Sequence, residues 1–238
     1  MSKFNVMSWS VLGLGLVLIA GLTSESTAES QAASDPAVEL AERYGLKAWD
    51  DVERIDFTFK VALPDGRVIE RPWSWSPPEG LVTADFGTDQ ERTFSLDAID
   101  ETNRDDHAKF INDSYWLLFP FQLVWSDCTV TDDGNATMPI SGEAGEKLTV
   151  TYPDDGGYTP GDMYELFLDP DTGLIAEWNF RKGGSDIGRP ATWDGYVGLN
   201  GLMISRVHEG PSGSGFTLTF PKVAVYAHGS VAAGTPMD

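Results

Sequence analysis

"FINDSYWLLFPFQLVW", Phe110 to Trp125, is the stretch on which the fold turns. Tyr115 to Phe121 is unbroken apolar sequence if Pro120 is counted, in a chain whose formal net charge is -21. Just before it, Asp100 to Asp106 is acidic and polar and suits a helix start. Ala108, Ile111, Tyr115, Leu118 and Phe119 then recur at spacings of three and four, which predicts a helix over residues 104–119 with one apolar face. Pro120 is expected to end it, because proline supplies no N–H and crowds the preceding turn. Phe110, Trp116 and Leu117 fall outside that stripe, so the helix is apolar nearly all round toward its C-terminus. Such a helix needs cover on more than one side, and the concave face of a curved sheet would supply it. Burying five of its large side chains contributes roughly 8–15 kcal/mol before entropy.

The rest of the chain reads as that sheet. Ile55, Phe57, Phe59, Val61 and Leu63 are apolar and alternate with Asp56, Thr58 and Lys60, the period of a half-buried strand. Pro64-Asp65-Gly66 is turn chemistry, and Ile69, Trp73 and Trp75 share one face of the returning strand. Residues 81–86, 93–96, 147–152, 163–168, 174–181, 192–197 and 202–207 read as further strands, with Asn200-Gly201 at a hairpin tip. Phe216, Leu218 and Phe220 alternate again. One helix precedes them: Asp35 can cap it, Pro36 fits its first turn and Gly45 can end it. Roughly ten short antiparallel strands with two helices indicate a mainly β (α+β) fold, a curled sheet or open barrel.

The ends are of another kind. Lys3, the apolar run Val11 to Leu22 and the small residues Ser26 to Ala28 have the layout of a signal peptide over residues 1–28. The run is shorter than the ~20 residues a bilayer span needs. The organisation expected is therefore a signal peptide (1–28), a linker (29–34), one domain (35–226) and a disordered tail (227–238). The mature chain starts near Glu29, carries no transmembrane segment, and is periplasmic or extracellular. Asp and Glu number 37 against 16 Lys and Arg, which argues against nucleic acid or an anionic membrane surface as partner. The one cysteine, Cys128, cannot form an internal disulfide.

Chemistry is sparse. His107, His208 and His228 have no His or Cys at metal-ligand spacing, and no nucleotide, flavin or hydrolase fingerprint appears, so no cofactor, metal or catalytic residue is assigned. Asp132 to Asn135, Asp154 to Gly157 and Asp169 to Gly173 are carboxylate-rich segments that read as turns.

A resemblance adds to this. "YGLKAWDDVERIDFTFKV", then the aromatic helix, then "YELFLDPDTGLIAEWNF" and "ATWDGYVGLNGLMISRVHE", resembles an uncharacterised family of secreted bacterial proteins with the fold of the periplasmic lipoprotein carriers LolA and LolB. It implies an unclosed antiparallel β-barrel lidded by helices, and a binder of a lipid or acyl chain. Three functions stay open: a carrier or sensor of a lipid-like ligand; a structural or interaction protein whose barrel is filled by its own side chains; and a carboxylate-dependent hydrolase. Under the first, Tyr115, Trp116, Leu118 and Phe119 of the helix line an apolar cavity with Phe57, Phe59, Trp73 and Trp178 of the sheet. Protein partners are not indicated.

Overall fold

Asp35 caps the first helix as its position in the sequence predicts: its carboxylate accepts the Ala37 N–H at 2.9 Å, and Pro36 opens the helix. In this computed structural model the described residues are 35–155, 158, 160–230 and 232–236; the expected signal peptide and linker, and Gly156 and Gly157 of one acidic turn, lie outside them. The elements run α1 (Pro36–Arg43), a 3-10 turn (Leu46–Asp51), β1 (Val52–Ala62), β2 (Val68–Ser76), β3 (Leu81–Ala84), β4 (Arg92–Ser95), α2 (Arg104–Trp125), β5 (Thr129–Thr137), β6 (Ala144–Thr151), β7 (Met163–Leu168), β8 (Ile175–Arg181), β9 (Arg189–Thr192), β10 (Val197–Leu199), β11 (Leu202–Ile204), β12 (Val207–Glu209), β13 (Thr217–Thr219), β14 (Lys222–Ala227) and β15 (Ala233–Pro236).

Every strand pair is antiparallel. One sheet has the order β12-β13-β1-β2-β3-β4, with β14 also paired to β1 and β15 to β14; a second has the order β5-β6-β7-β8-β9. The two meet where β9 passes β12: Asp194 bridges Val207, and the Glu209 N–H donates to Thr192 Oγ1 at 3.0 Å. β4 and β5, at the other ends, do not pair with each other, and α2 lies between them in the chain. The result is the unclosed, curled arrangement expected, divided into two large sheets and the two-stranded β10–β11 hairpin rather than one sheet.

Alternation fills the inside. Ile55, Phe57, Phe59 and Val61 of β1 are buried toward α2, and Leu166 and Trp178, a cross-strand pair of β7 and β8, cover it from the second sheet. α1 is tied to that second sheet through Tyr44. The Ile175 N–H donates to its hydroxyl at 2.8 Å, and the Tyr196 hydroxyl, 2.6 Å away, donates to the Ile175 carbonyl. Gly45, at φ +96°, ends α1 against the β10–β11 hairpin, where any side chain would collide with the Gly201 carbonyl.

Four expectations need correction. α2 does not stop at Pro120: the backbone leaves helical geometry at Leu118 (φ -124°, ψ 23°) and then continues to Trp125. The break removes the clash between the proline ring and the turn before it, and Pro120 then sits in the first turn of the second segment, where its missing N–H costs little. The buried face of α2 is also rotated. Phe110 and Leu117 are fully covered, Ile111 and Tyr115 only partly, and three polar residues, His107, Asp113 and Ser114, share the buried side. Asp132 to Asn135 is no hairpin turn but a bulge inside β5, with Gly134 at φ +71° and its N–H held by the Asp132 carboxylate. Within the tail read as disordered, Ala233–Pro236 pairs with β14, because β14 would otherwise leave its outer backbone groups open.

Candidate functional site

α2 is fastened into the half-barrel by one buried carboxylate. Asp113, with no exposed surface, accepts two hydrogen bonds from the Arg71 guanidinium at 2.6 and 2.7 Å and one from Trp73 Nε1 at 2.9 Å. The Asn112 side-chain amide donates to it as well, at 3.0 Å. Arg71 lies over the Phe59 ring, 4.6 Å from its centre. One carboxylate thus orders Phe59, Trp73 and the helix together, with a charge-assisted bidentate pair at its centre. Nearer the solvent, Arg92 bonds Asp106 at 2.8 Å and Asp85 at 2.9 Å, and the hydrogen bond from Arg92 holds the Asp106 carboxyl below its usual range.

Around this anchor the rings form two walls. On the first sheet Phe110 packs on Phe57, Trp73 and Trp75 with ring centres 6.3, 5.6 and 5.6 Å apart. On the other wall, Trp116 lies on Trp178 of the second sheet at 4.3 Å, and on His208 of β12, at the edge of the first sheet, at 5.3 Å, with Phe216 beside it at 5.8 Å. Phe119 reaches Tyr164 at 4.7 Å and Trp178 at 5.2 Å, and Tyr115 touches Phe119 and Tyr152. Past the kink, Phe121 and Trp125 stack on each other and pack at a tilt against Trp49 of the 3-10 turn.

Of the eight residues named from the sequence, Tyr115, Trp116, Phe119 and Trp178 belong to one contacting group, while Phe57, Phe59 and Trp73 belong to the other wall. Phe220 bridges the walls, touching Phe57, Phe59 and His208. Leu118 is buried at the kink between them. Two cavities lie against the first sheet: one of about 460 Å³ lined by Asp56, Thr58, Pro72, Phe86 and Lys222 with Phe57 and Trp73, and one of about 260 Å³ lined by Ile69, Arg71, Trp73 and Arg92.

Sequence reasoning missed Asp113, Trp193 and His208. Asp113 sits one turn from two aromatics on a helix, where hydropathy places a carboxylate outside; the signal was the pair of tryptophans and the arginine of β2 that need an acceptor. His208 falls in a strand of three residues, too short for alternation to assign it a face. It is fully buried, and its Nδ1 faces the Thr192 carbonyl at 3.2 Å. A carbonyl only accepts, so the proton sits on Nδ1 and Nε2 presents a lone pair. Burial keeps this ring neutral, lowering its pKa to about 3 against a smaller opposing effect of the Thr192 bond. Cys128 is half-buried, and burial raises its thiol to about 11, the state of an inert side chain. No helix among the described residues is long and apolar enough to cross a membrane.

No family model matches the sequence, and neither does any curated protein. Among solved structures the chain is similar to a DUF1329 family protein from Desulfovibrio piger (9% identity, 83% of this chain and 95% of that one covered, TM-score 0.43). It is similar also to a LolA superfamily protein from Nitrosomonas europaea (12% identity, 79% and 92% covered, TM-score 0.46). A third is a domain ascribed to outer membrane lipoprotein sorting from Vibrio parahaemolyticus (10% identity, 82% and 95% covered, TM-score 0.42).

Proposed function

We propose that the protein is an exported binding protein that takes up a lipid-like ligand between α2 and the second sheet. One observation carries the reading. Trp116 is only partly buried, yet the rings directly beneath it, Trp178 and His208, are sealed from solvent. A single bulky side chain, with Phe216 at its edge, separates solvent from an aromatic interior, and it sits just before the break in α2 at Leu118. Swinging the Trp116 side chain outward, with Asp113 left in its anchor, would open the interior to an acyl chain. Tyr115, Leu118 and Phe119 then flank the chain from the helix side and Trp178 from the sheet, with Phe57, Phe59 and Trp73 forming the far wall.

A second reading has its own support. Ring centres 4.3 and 5.2 Å apart, Trp116 on Trp178 and Phe119 on Trp178, are close packing, which favours an interior filled by its own side chains. Uptake of a neutral phenylnaphthylamine probe, whose fluorescence rises in apolar surroundings, decides between them. The binding reading expects saturable uptake by the mature wild type, weakened at least fivefold in Trp116→Ala. That variant should lose only roughly 1–2 kcal/mol of stability, short of the ~3–5 kcal/mol for a fully buried aromatic. No uptake by the wild type, together with a loss at Trp116→Ala as large as that at Phe110→Ala, establishes the filled barrel instead.

A further inference from the structure

We infer that the interior holds a polar subsite, built from His208 Nε2 and the indole N–H groups of Trp178 and Trp193, which receives the neutral hydroxyl head of an amphiphile. This rests on the binding reading above and names the class of ligand. All three atoms are buried and have no hydrogen-bond partner among the described residues. Nearly all buried polar groups in proteins are paired, so three orphans in one cluster call for an explanation. They sit on rings in mutual contact: Trp178 and Trp193 at 5.3 Å between centres, Trp193 and His208 at 4.6 Å. Trp116 touches both Trp178 and His208, so the ring proposed as the movable cover lies over the same cluster.

The protonation pattern selects the head group. His208 Nε2 is an acceptor, because its other nitrogen spends the only proton on the Thr192 carbonyl. Each indole nitrogen is a donor and nothing else. One acceptor and two donors complement a hydroxyl, which has one O–H to give and two lone pairs to offer. A carboxylate has no proton for Nε2, and an ammonium has no lone pair for the indoles. Arg206, buried on the same strand side as His208, directs its guanidinium to the Phe220 and Pro221 carbonyls. The surrounding rings add apolar surface for the attached chain.

The experiment is competition for the neutral probe on the mature full chain. The competitors are a long-chain primary alcohol, its methyl ether and the fatty carboxylate of equal chain length. The alcohol should displace the probe at roughly tenfold lower concentration than the ether, the order of effect of losing a hydrogen bond to a buried acceptor. It should also outcompete the carboxylate, and in His208→Phe the alcohol and ether should compete equally. A second measurement needs no variant. With three histidines in the chain, nitrogen-labelled histidine resolves His208, and its Nε2 signal should shift on adding alcohol but not ether. If the probe binds but alcohol and ether compete alike and Nε2 does not move, internal water satisfies these atoms and the subsite is refuted, while the binding reading stands. A preference for the carboxylate refutes it too. If the wild type takes up no probe, the binding reading fails, and the subsite with it.

Discussion

The two aromatic walls are built from the same residue types and differ in how their central polar atoms are satisfied, although Trp75 Nε1 at the margin of the first wall also has no partner among the described residues. On the first sheet Trp73 gives its N–H to the buried carboxylate of Asp113, which Arg71 also grips. On the second wall, where β8 and β9 of the second sheet meet β12 of the first, Trp178, Trp193 and His208 each bury a polar atom with no partner among the described residues. The first wall therefore has a definite reason to hold one geometry. The second carries an unmet polar demand, and Trp116, which covers it, is only partly buried. The difference teaches that the half-barrel has a fixed side and an adaptable side, and the kink at Leu118 lies beside the adaptable one.

The largest effect that would break this comparison is at Asp113. Asp113→Ala leaves the Arg71 guanidinium and the Trp73 N–H without their acceptor inside the barrel. Removing one partner of a buried ion pair costs about 3–5 kcal/mol, and chemical denaturation of the variant should show a loss in that range. A loss under about 1 kcal/mol, the level of exposed pairs, would mean that the first wall is not held by this carboxylate.

A matched pair of substitutions sharpens the point. Trp73→Phe removes a hydrogen bond to a carboxylate; Trp178→Phe removes an N–H that has no partner. The ring contraction is the same in both. Trp73→Phe should therefore be the more destabilising by roughly 1.5–3 kcal/mol, the worth of a hydrogen bond to a charged group. Equal losses in the two variants would show that the walls do not differ in the way described.

What the sequence made legible follows from how local each signal is. The Asp35 cap, the Gly45 stop, the Asn200-Gly201 hairpin and the alternation through Ile55, Phe57 and Phe59 are each set by a few neighbouring residues, and all appear as read. The face of α2 was not legible, because Asp113 is buried by partners on β2, 40 and 42 residues away. The bulge in β5 was hidden because an Asp-Asp-Gly-Asn segment has the same chemistry in a bulge as in a turn. Of the site, the rings on α2 and Trp178 could be named from the sequence. His208 and Trp193 could not, since their importance lies in polar atoms that only the packed structure leaves unpaired.

The effect that is smallest near neutral pH concerns acid and separates His208 from the carboxylates. Burial lowers the folded pKa of His208 to about 3, whereas an unfolded histidine titrates near 6.5. Below that upper value the unfolded chain binds a proton that the folded chain refuses. The stability associated with a neutral His208 is thus complete above about pH 6.5 and declines as pH falls toward 3, by at most about 1.4 kcal/mol per pH unit for one group. The Asp106 and Glu165 carboxyls, held low by Arg92 and by Asn179 and Arg181, bring their own losses only nearer pH 4 and below, through titration in the unfolded chain. Between pH 6.5 and 4.5 the wild type should therefore lose stability faster than His208→Phe, and the two curves should run parallel at lower pH only once His208 is protonated in the fold. Parallel curves across the upper window would mean that His208 accepts a proton without leaving its place, and the second wall would then be more open to water than its burial indicates.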